Sequence, residues 1–363
     1  MANKEHRRTT KAPRFSLVSA AQPGLFLGVD GGGTKTLAVL ADRNAEILSQ
    51  GKTAASNPLR VGVEASVREI ADAVDAACDA LGKSRSDIIA AEIGLAGVRR
   101  EDLRLRMRDS LQQELGIEKL EVATDAEIAL YGATDGRAGL VIIAGTGSIC
   151  CGRNEKGEIA RSGGWGPLAG DEGGGAGIAR RALQQIAKAS DGRGEKTKLS
   201  EYACKYFRAD SADDLAMAIY APSMTNDKIA GFARLVVQAA REKDAVAIDL
   251  LKEAANELGL AANAVIKNLG LEKKKFQVAY VGGIFHAENL IFEPLLEKIH
   301  ETAPAAFLAP PLFTPAVAAA KMALAAITPP KIERFRNFSK TSKPLSKQLR
   351  PLPKHKAKSD KRI

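Results

Sequence analysis

The sequence predicts an α/β protein made of two similar halves. Short apolar runs of strand length alternate with stretches whose apolar residues recur at helical spacing. A unit of strand, glycine loop and strand begins at Leu25, and a second unit of the same kind begins at Gly139. A repeated unit of this size indicates a duplicated α/β domain.

The first half opens with three predicted strands. A glycine turn joins the first strand to the second, and Asp42-Arg43-Asn44 form the turn before the third. Further strands and helices then alternate, which favours a mixed, mostly parallel sheet flanked by helices. The predicted elements are strands at 25–30, 36–41, 45–50, 92–97 and 120–124, and helices at 63–81, 101–115 and 126–133.

The second half repeats the opening and then becomes mainly helical. Its predicted elements are strands at 139–145, 148–153, 158–161 and 278–285, a helical stretch at 173–269, and helices at 288–302 and 314–327. We therefore predict one domain over 25–135 and another over 136–327, and the last helix is a candidate for packing back on the first domain. Residues 1–24 and 328–363 are predicted to be basic disordered tails.

The net charge of +10 lies in these tails. The first fourteen residues carry five Lys or Arg against one Glu, and residues 329–363 carry twelve against two acids, so the body is slightly acidic. This distribution predicts no specific nucleic-acid surface on the folded part. No apolar run is long enough to span a bilayer. The four cysteines lack metal or disulfide spacing, which predicts a cytoplasmic protein, and Cys150-Cys151 are expected in apolar packing.

The turn after the first strand is a candidate phosphate loop. It reads Asp30-Gly31-Gly32-Gly33-Thr34-Lys35. Glycines let backbone N–H groups approach a phosphate, and the threonine hydroxyl adds a donor. Asp30, at the strand end, is placed to hold Mg²⁺ through water. An unliganded tight hairpin is the alternative interpretation.

Two later glycine junctions strengthen the nucleotide interpretation. Gly145-Thr146-Gly147-Ser148 repeats the chemistry of the first turn after an equivalent strand, and such a repeat is rare by chance. Gly282-Gly283 ends a third strand, where the absence of side chains would let an adenosine lie against the backbone. A plain turn between strand and helix is the alternative for this pair.

The acceptor side is predicted from one aspartate and one loop. Asp125 follows a strand and begins a helix, so it is either an N-cap or the base that takes a proton from a substrate hydroxyl. The segment 163–173, GGWGPLAGDEG, combines glycines, two acids and Trp165. Carboxylates accept hydrogen bonds from sugar hydroxyls and an indole covers an apolar sugar face, so we predict a sugar site.

In this order the motifs resemble the N-acetylglucosamine kinase family, which belongs with benzoyl-CoA reductase type ATPases in the actin, hexokinase and Hsp70 superfamily. The resemblance covers residues 25 to 327. It implies duplicated actin-like ATPase domains of the ribonuclease H-like type with an interdomain cleft. It also implies Mg²⁺-dependent transfer from ATP to the 6-hydroxyl of an amino sugar, and a homodimer. Val317-Ala318-Ala319 stand where the family often has a glycine pair in the last helix, which leaves the closeness of that helix's packing open.

The resemblance assigns roles residue by residue. Asp125 would be the base. The nucleotide would be bound by Asp30, Gly32, Gly33, Thr34, Lys35, Gly145, Thr146, Gly147, Ala240, Gly282 and Gly283. The sugar, either N-acetylglucosamine, glucosamine or a muramic-type sugar, would be held by Asn57, Asp125, Ser148, Gly164, Trp165, Gly166 and Asp171.

Two other functions fit the same fold. An ATPase that activates a radical dehydratase or reductase would need cysteines that bridge an iron–sulfur cluster at a dimer axis. Cys150-Cys151 directly follow a phosphate loop, which is the wrong place for such ligands, and no other pair is suitably spaced. A catalytically silent sugar sensor would keep the fold without the chemistry. The presence of Asp125 and of both phosphate loops favours the kinase.

Overall fold

The computed structural model describes residues 24–327, so the two predicted tails lie outside the described residues except for Gly24. Two five-stranded sheets carry this part of the chain. The first sheet comprises β1 (Leu25–Gly31), β2 (Thr36–Ala41), β3 (Ile47–Thr53), β4 (Ile88–Leu95) and β5 (Leu120–Thr124). The second comprises β6 (Gly139–Ala144), β7 (Ser148–Arg153), β8 (Ile159–Gly163), β9 (Gln277–Val281) and β10 (Phe307–Ala309).

The two sheets have the same topology. The order is β3-β2-β1-β4-β5 in the first and β8-β7-β6-β9-β10 in the second. In each, the first three strands form an antiparallel meander, and the fourth and fifth run parallel to the first. This identity confirms the predicted duplicated α/β fold.

The helices connect and cover these strands. They are α1 (Pro58–Val61), α2 (Val63–Leu81), α3 (Glu101–Leu115), α4 (Asp125–Thr134), α5 (Gly175–Ser190), α6 (Leu199–Phe207), α7 (Leu215–Ile219), α8 (Asn226–Gly231), α9 (Ala233–Arg241), α10 (Ala245–Leu269), α11 (Asn289–His300) and α12 (Pro315–Ile327). The connection between β3 and β4 holds only two α-helices, whereas the corresponding connection between β8 and β9 holds six.

Most predicted elements are confirmed, and the differences have local causes. The third strand begins at Ile47 rather than at 45, because Ala45 adopts a positive φ of 61° in the turn. The fourth strand covers 88–95 rather than 92–97, since Ile88 already pairs with Leu25 of β1. The three-residue strand β10 was not predicted, because a run this short carries no readable alternation.

The halves exchange their last helices. Helix α4, which follows the first sheet, packs on the second sheet through a cluster that includes Leu130, Val141 and Cys151. Helix α12, which follows the second sheet, packs on the first. A Cβ on Gly28 of β1 would lie 2.1 Å from the carbonyl oxygen of Ala316, so this glycine lets helix and strand approach closely. Close packing therefore persists without glycines in α12.

Candidate functional site

The carboxyl ends of the parallel strands of both sheets lead into one cleft. Arg99, in the loop after β4, places its guanidinium carbon 5.1 Å from the ring centre of Trp165, which follows β8. Arg60 of α1 forms a 2.6 Å ion pair with Asp227 of α8. Both contacts join the first half to the second. Ligands of open α/β sheets bind at this edge, so the topology places the predicted site here.

The first phosphate loop is a tight turn that the segment after β3 holds in place by hydrogen bonds. The N–H of Gly32 donates to the carbonyl of Lys35 at 3.0 Å, and the carbonyl of Gly32 accepts from the N–H groups of Ser56 and Asn57. The side chains of Thr34 and Lys35 are exposed. Burial raises the pKa of the Asp30 carboxyl, and the nearby Lys35 ammonium partly opposes this. The loop therefore presents donors to the cleft beside a partly buried carboxylate.

The second phosphate loop lies against the start of α5. The N–H of Gly175 donates to the carbonyl of Gly145 at 2.8 Å, and the N–H of Ala176 donates to that of Thr146 at 2.9 Å. Thr146 is exposed, and its hydroxyl donates to Asp227 Oδ1 at 3.0 Å. The loop is thus held by backbone bonds and offers the threonine hydroxyl to the cleft.

Asp125 is not the cap of its helix. Thr124 and Glu127 form a capping box at the start of α4, with Glu127 N donating to Thr124 Oγ1 and Thr124 N donating to Glu127 Oε2. The Asp125 carboxylate accepts the neighbouring N–H of Ala126 at 2.9 Å. The alternative N-cap interpretation of Asp125 is therefore wrong, and its carboxylate remains accessible to water at the cleft.

The environment of Asp125 changes its acidity. Water reaches the Asp125 side chain, but neighbouring protein atoms displace much of the solvent around its carboxyl group. This desolvation, together with the negative charge of Asp30, raises the pKa of Asp125 to about 6. The negative charge of Asp30 therefore contributes to the weaker acidity of Asp125.

The predicted sugar loop is only partly free to bind. Trp165 is 67% exposed, so it is not a core residue. Asp171 is buried, and its Oδ1 accepts the N–H of Ser148 at 3.2 Å, while the Ser148 hydroxyl donates to the carbonyl of Glu172. Gly164 and Gly166 flank the indole, and Gly164 N donates to the carbonyl of Ser148. Asp171 and Ser148 therefore tie the second phosphate loop to the predicted sugar loop.

The remaining predicted residues are Asn57, assigned to the sugar, and Gly282, Gly283 and Ala240, assigned to the nucleotide. Asn57 caps α1 by accepting from Leu59 N at 3.0 Å, in the segment tied to the first loop. Gly282 has a φ of 121°, and a Cβ there would lie 2.2 Å from the carbonyl oxygen of Ala144, so β9 meets the second loop closely. Gly283 faces open space, whereas the side chain of Ala240 is buried in the core of the second half.

Sequence reasoning missed the charged side chains that cross the cleft. Arg60, Asp227 and Arg99 were not singled out. Arg99 follows the parallel strand β4 at its carboxyl end, and that position was a usable signal. Arg60 and Asp227 lie 167 positions apart, and no local pattern links them.

A cavity elsewhere in the molecule is not part of this site. It has a volume of about 610 Å³ and is lined by Arg137, Lys275, Phe307 and neighbouring residues. These residues lie at the amino ends of β6, β9 and β10, which is the edge opposite the cleft. Within residues 24–327, no group of three or more His, Cys, Asp or Glu side chains is placed to hold a metal ion. No helix in that range is long and apolar enough to cross a membrane.

The family model for the BadF/BadG/BcrA/BcrD ATPases matches residues 27–323. The chain belongs to this family. Relatives of this family member include the N-acetylmuramic acid/N-acetylglucosamine kinase of Clostridium acetobutylicum, which is 36% identical over 74% of this chain and 87% of the relative. The N-acetyl-D-glucosamine kinase of Dictyostelium discoideum is 33% identical over 83% of this chain and 98% of the relative.

Solved structures support the fold of this family member. A protein from Chromobacterium violaceum, provisionally described as an N-acetylglucosamine kinase, matches with a TM-score of 0.70 and 28% identity over 84% of this chain and all of the other. A ROK family glucokinase from Streptomyces griseus, solved with glucose and AMPPNP, has a TM-score of 0.54 and 21% identity over 83% of this chain and 99% of the other. The second likeness concerns the fold alone.

Proposed function

We propose that this chain is an ATP-dependent amino-sugar kinase that transfers a phosphoryl group to the 6-hydroxyl of N-acetylglucosamine or glucosamine. The observation that carries the proposal is the carboxylate of Asp125, which begins α4 at the carboxyl end of β5 without capping the helix and is exposed. The kinase names of the relatives support the substrate class.

Asp125 is the proposed base. A carboxyl with a pKa of about 6 is ionised at neutral pH, and its affinity for a proton exceeds that of an ordinary aspartate. It therefore orients the sugar hydroxyl and accepts its proton as the hydroxyl oxygen attacks. Phosphoryl transfer depends mostly on positioning and on charge neutralisation, so we expect the base to work together with the loops.

The two loops are the proposed phosphate site. Thr34 and Thr146 present exposed hydroxyls from opposite halves, and the glycine backbone supplies N–H donors. Asp30 offers a carboxylate oxygen at the cleft, which is the donor that Mg²⁺ prefers, and the residue would hold the ion through water. Bound Mg²⁺ would neutralise phosphate charge.

The sugar side is proposed around Trp165. Its exposed indole would cover an apolar face of the ring, and Asn57 and the backbone of Gly164 and Gly166 would bind hydroxyls. Closure of the halves around both substrates would exclude water and limit ATP hydrolysis. Cytoplasmic location and a homodimer stay predictions, and sedimentation of the purified chain tests the second.

The cysteines do not favour the activator alternative. Cys78, Cys150 and Cys151 are buried, and desolvation raises the pKa of the Cys151 thiol to about 12. Thiols in this environment pack as apolar groups and do not present a paired ligand set at a surface. The prediction that Cys150 and Cys151 lie in apolar packing is confirmed.

A coupled ADP-release assay tests the function. Purified protein is assayed with N-acetylglucosamine, glucosamine, N-acetylmannosamine, N-acetylmuramic acid and glucose, and phosphorus NMR of the product locates the ester. We expect turnover with an amino sugar and a 6-phosphate product. ATP binding without turnover on any of these sugars would contradict the proposal.

A further inference from the structure

Arg60 places a cation between the two loops. Its Nη1 lies 3.5 Å from the carbonyl oxygen of Gly33 in the first loop. A Cβ added to Gly33 would lie 3.1 Å from Arg60 Nη1. Arg60 is in the short helix α1, directly after the segment that braces the first loop. The guanidinium thus lies against the loop on the first half of the molecule.

Asp227 connects this cation to the second loop. Its Oδ2 accepts from Arg60 Nη1 at 2.6 Å, and its Oδ1 accepts from the hydroxyl of Thr146 at 3.0 Å. Asp227 lies on α8, within the helical stretch between β8 and β9 that has no counterpart of its size in the first half. One carboxylate therefore touches donors from both halves of the cleft.

These donors are the kind that bind phosphate. A guanidinium and a hydroxyl bind a carboxylate and a phosphate through the same N–H and O–H groups, and arginine is especially suited to oxyanions. Thr146 belongs to the loop that we assign to phosphate. An anionic side chain already bridges this threonine and Arg60, so the geometry marks an anion position between the loops.

We propose that Arg60 contacts the terminal phosphates of ATP, and that the Asp227 carboxylate occupies this phosphate position in the nucleotide-free protein. The inference rests on the proposed nucleotide site. Binding of ATP would exchange one oxyanion for another: Arg60 and Thr146 would leave the Asp227 carboxylate and bind the phosphate. No covalent bond is made or broken in this exchange.

The exchange is easy because the resting contact is weak. The side chains of Arg60 and Asp227 are 44% and 43% exposed, so water screens their ion pair. ATP brings several negative charges to the same place, and these repel the carboxylate. A fixed guanidinium near the phosphoryl group also stabilises the charge that develops there during transfer.

Nucleotide binding without sugar tests the proposal. Calorimetry on the full chain compares the β,γ-imido analogue of ATP with AMP, which lacks the terminal phosphates. We expect Arg60→Gln to weaken the analogue about tenfold to a hundredfold and to leave AMP unchanged. Arg60→Lys keeps a charge but loses the planar fork, so it should fall between. Unchanged AMP binding shows that the site is still folded.

Asp227→Asn should act in the opposite direction. Removal of the competing charge is expected to tighten the analogue about threefold to tenfold. The matched control is Arg181→Gln, because the ion pair of Arg181 with Glu253 has the same 2.6 Å length and similar exposure, 48% and 43%, within the second half alone. This variant should bind both nucleotides as the unaltered protein does.

Several results would overturn the inference. If Arg60→Gln binds the analogue with the same affinity as Arg181→Gln, Arg60 does not contact the phosphates. Asp227→Asn that binds the analogue no more tightly, or more weakly, would exclude the phosphate surrogate. These measurements need no sugar, so they remain informative if no amino sugar is phosphorylated. If the unaltered protein phosphorylates an amino sugar but Arg60→Gln binds the analogue with unchanged affinity, only this inference is rejected and the proposed function stands.

Discussion

The two halves share a topology but not a chemistry. In the first sheet, Asp30 precedes the last paired residue of β1, and Asp125 begins the helix after β5. In the second sheet, the position that corresponds to Asp30 by pairing is Ile143, and the helix after β10 begins at Pro315. The two acids at these strand and helix ends therefore come from the first half, while the second half contributes Asp227 from its long helical connection.

This difference indicates how a duplicated scaffold divides its work. The meander and its loop position backbone donors in both halves, because the loop geometry follows from the strand pairing. The side chains at the same positions can differ, and Ile143 packs against the apolar cluster under α4 where the first half has the Asp30 carboxylate. We therefore place proton transfer in the first half and expect the second to contribute mainly nucleotide binding.

The largest expected effect is on kcat, and it compares a substitution at the start of α4 with one just before α12. Asp125→Asn removes the proposed base and should lower kcat by about 100-fold or more. Burial opposes ionisation of Asp125, so the amide should not lower the free energy of unfolding at neutral pH. Thr314→Ala changes the exposed residue just before α12 and should leave kcat intact. An equal loss of kcat in both variants would contradict the placement of proton transfer in the first half.

The exchanged helices provide the second comparison. Gly28 and Val141 both lie three residues before the last pair of their strands. Gly28→Ala would push a methyl group against the backbone of α12 and should lower the free energy of unfolding by about 3 kcal/mol. Val141→Ala leaves a small void beside α4 and should cost about 1–2 kcal/mol. Denaturant unfolding measures both, and a larger loss for Val141→Ala would contradict the tighter packing of α12.

The acidity of Asp125 gives the third prediction. Its raised pKa means that the carboxyl becomes protonated below about pH 6 and can no longer accept a proton. We expect kcat/KM for the sugar to fall about tenfold for each unit below this pH and to stay constant above it, because kcat/KM reports the acidity of groups in the enzyme without bound sugar. A pH–rate profile with viscosity and coupling controls measures this. A profile that is flat down to pH 4 would exclude Asp125 as the base.

The smallest effects are expected on the sugar side. Trp165→Ala should raise the KM for the sugar about tenfold. Trp165→Phe should raise it only about two- to threefold, because the smaller ring keeps part of the contact. The KM for ATP should not change. Leu168→Ala, in the same loop and fully exposed, is the control. A shift in the KM for ATP equal to that for the sugar would show that Trp165 supports the nucleotide half.

Local sequence patterns predicted much of this molecule. Helices α2 and α3 and strands β2, β5 and β7 have the predicted bounds, because apolar periodicity and bordering glycines define each element within its own residues. The two glycine loops and the aspartate after β5 were found in the same way, since each directly follows a strand. The sequence left open whether Asp125 caps its helix, because Asp125 and Thr124 are adjacent and both are good caps.

The sequence alone thus determined the two strand–loop–strand units and the residues that stand at the strand ends, because hydrophobic alternation and turn residues act over a few positions. Only the tertiary structure decided which side chains meet across the cleft. The ion pair of Arg60 with Asp227, the contact of Arg99 with the Trp165 ring and the packing of α4 on the second sheet join residues far apart in the chain. Such contacts depend on how two packed sheets face each other, and no local pattern records that.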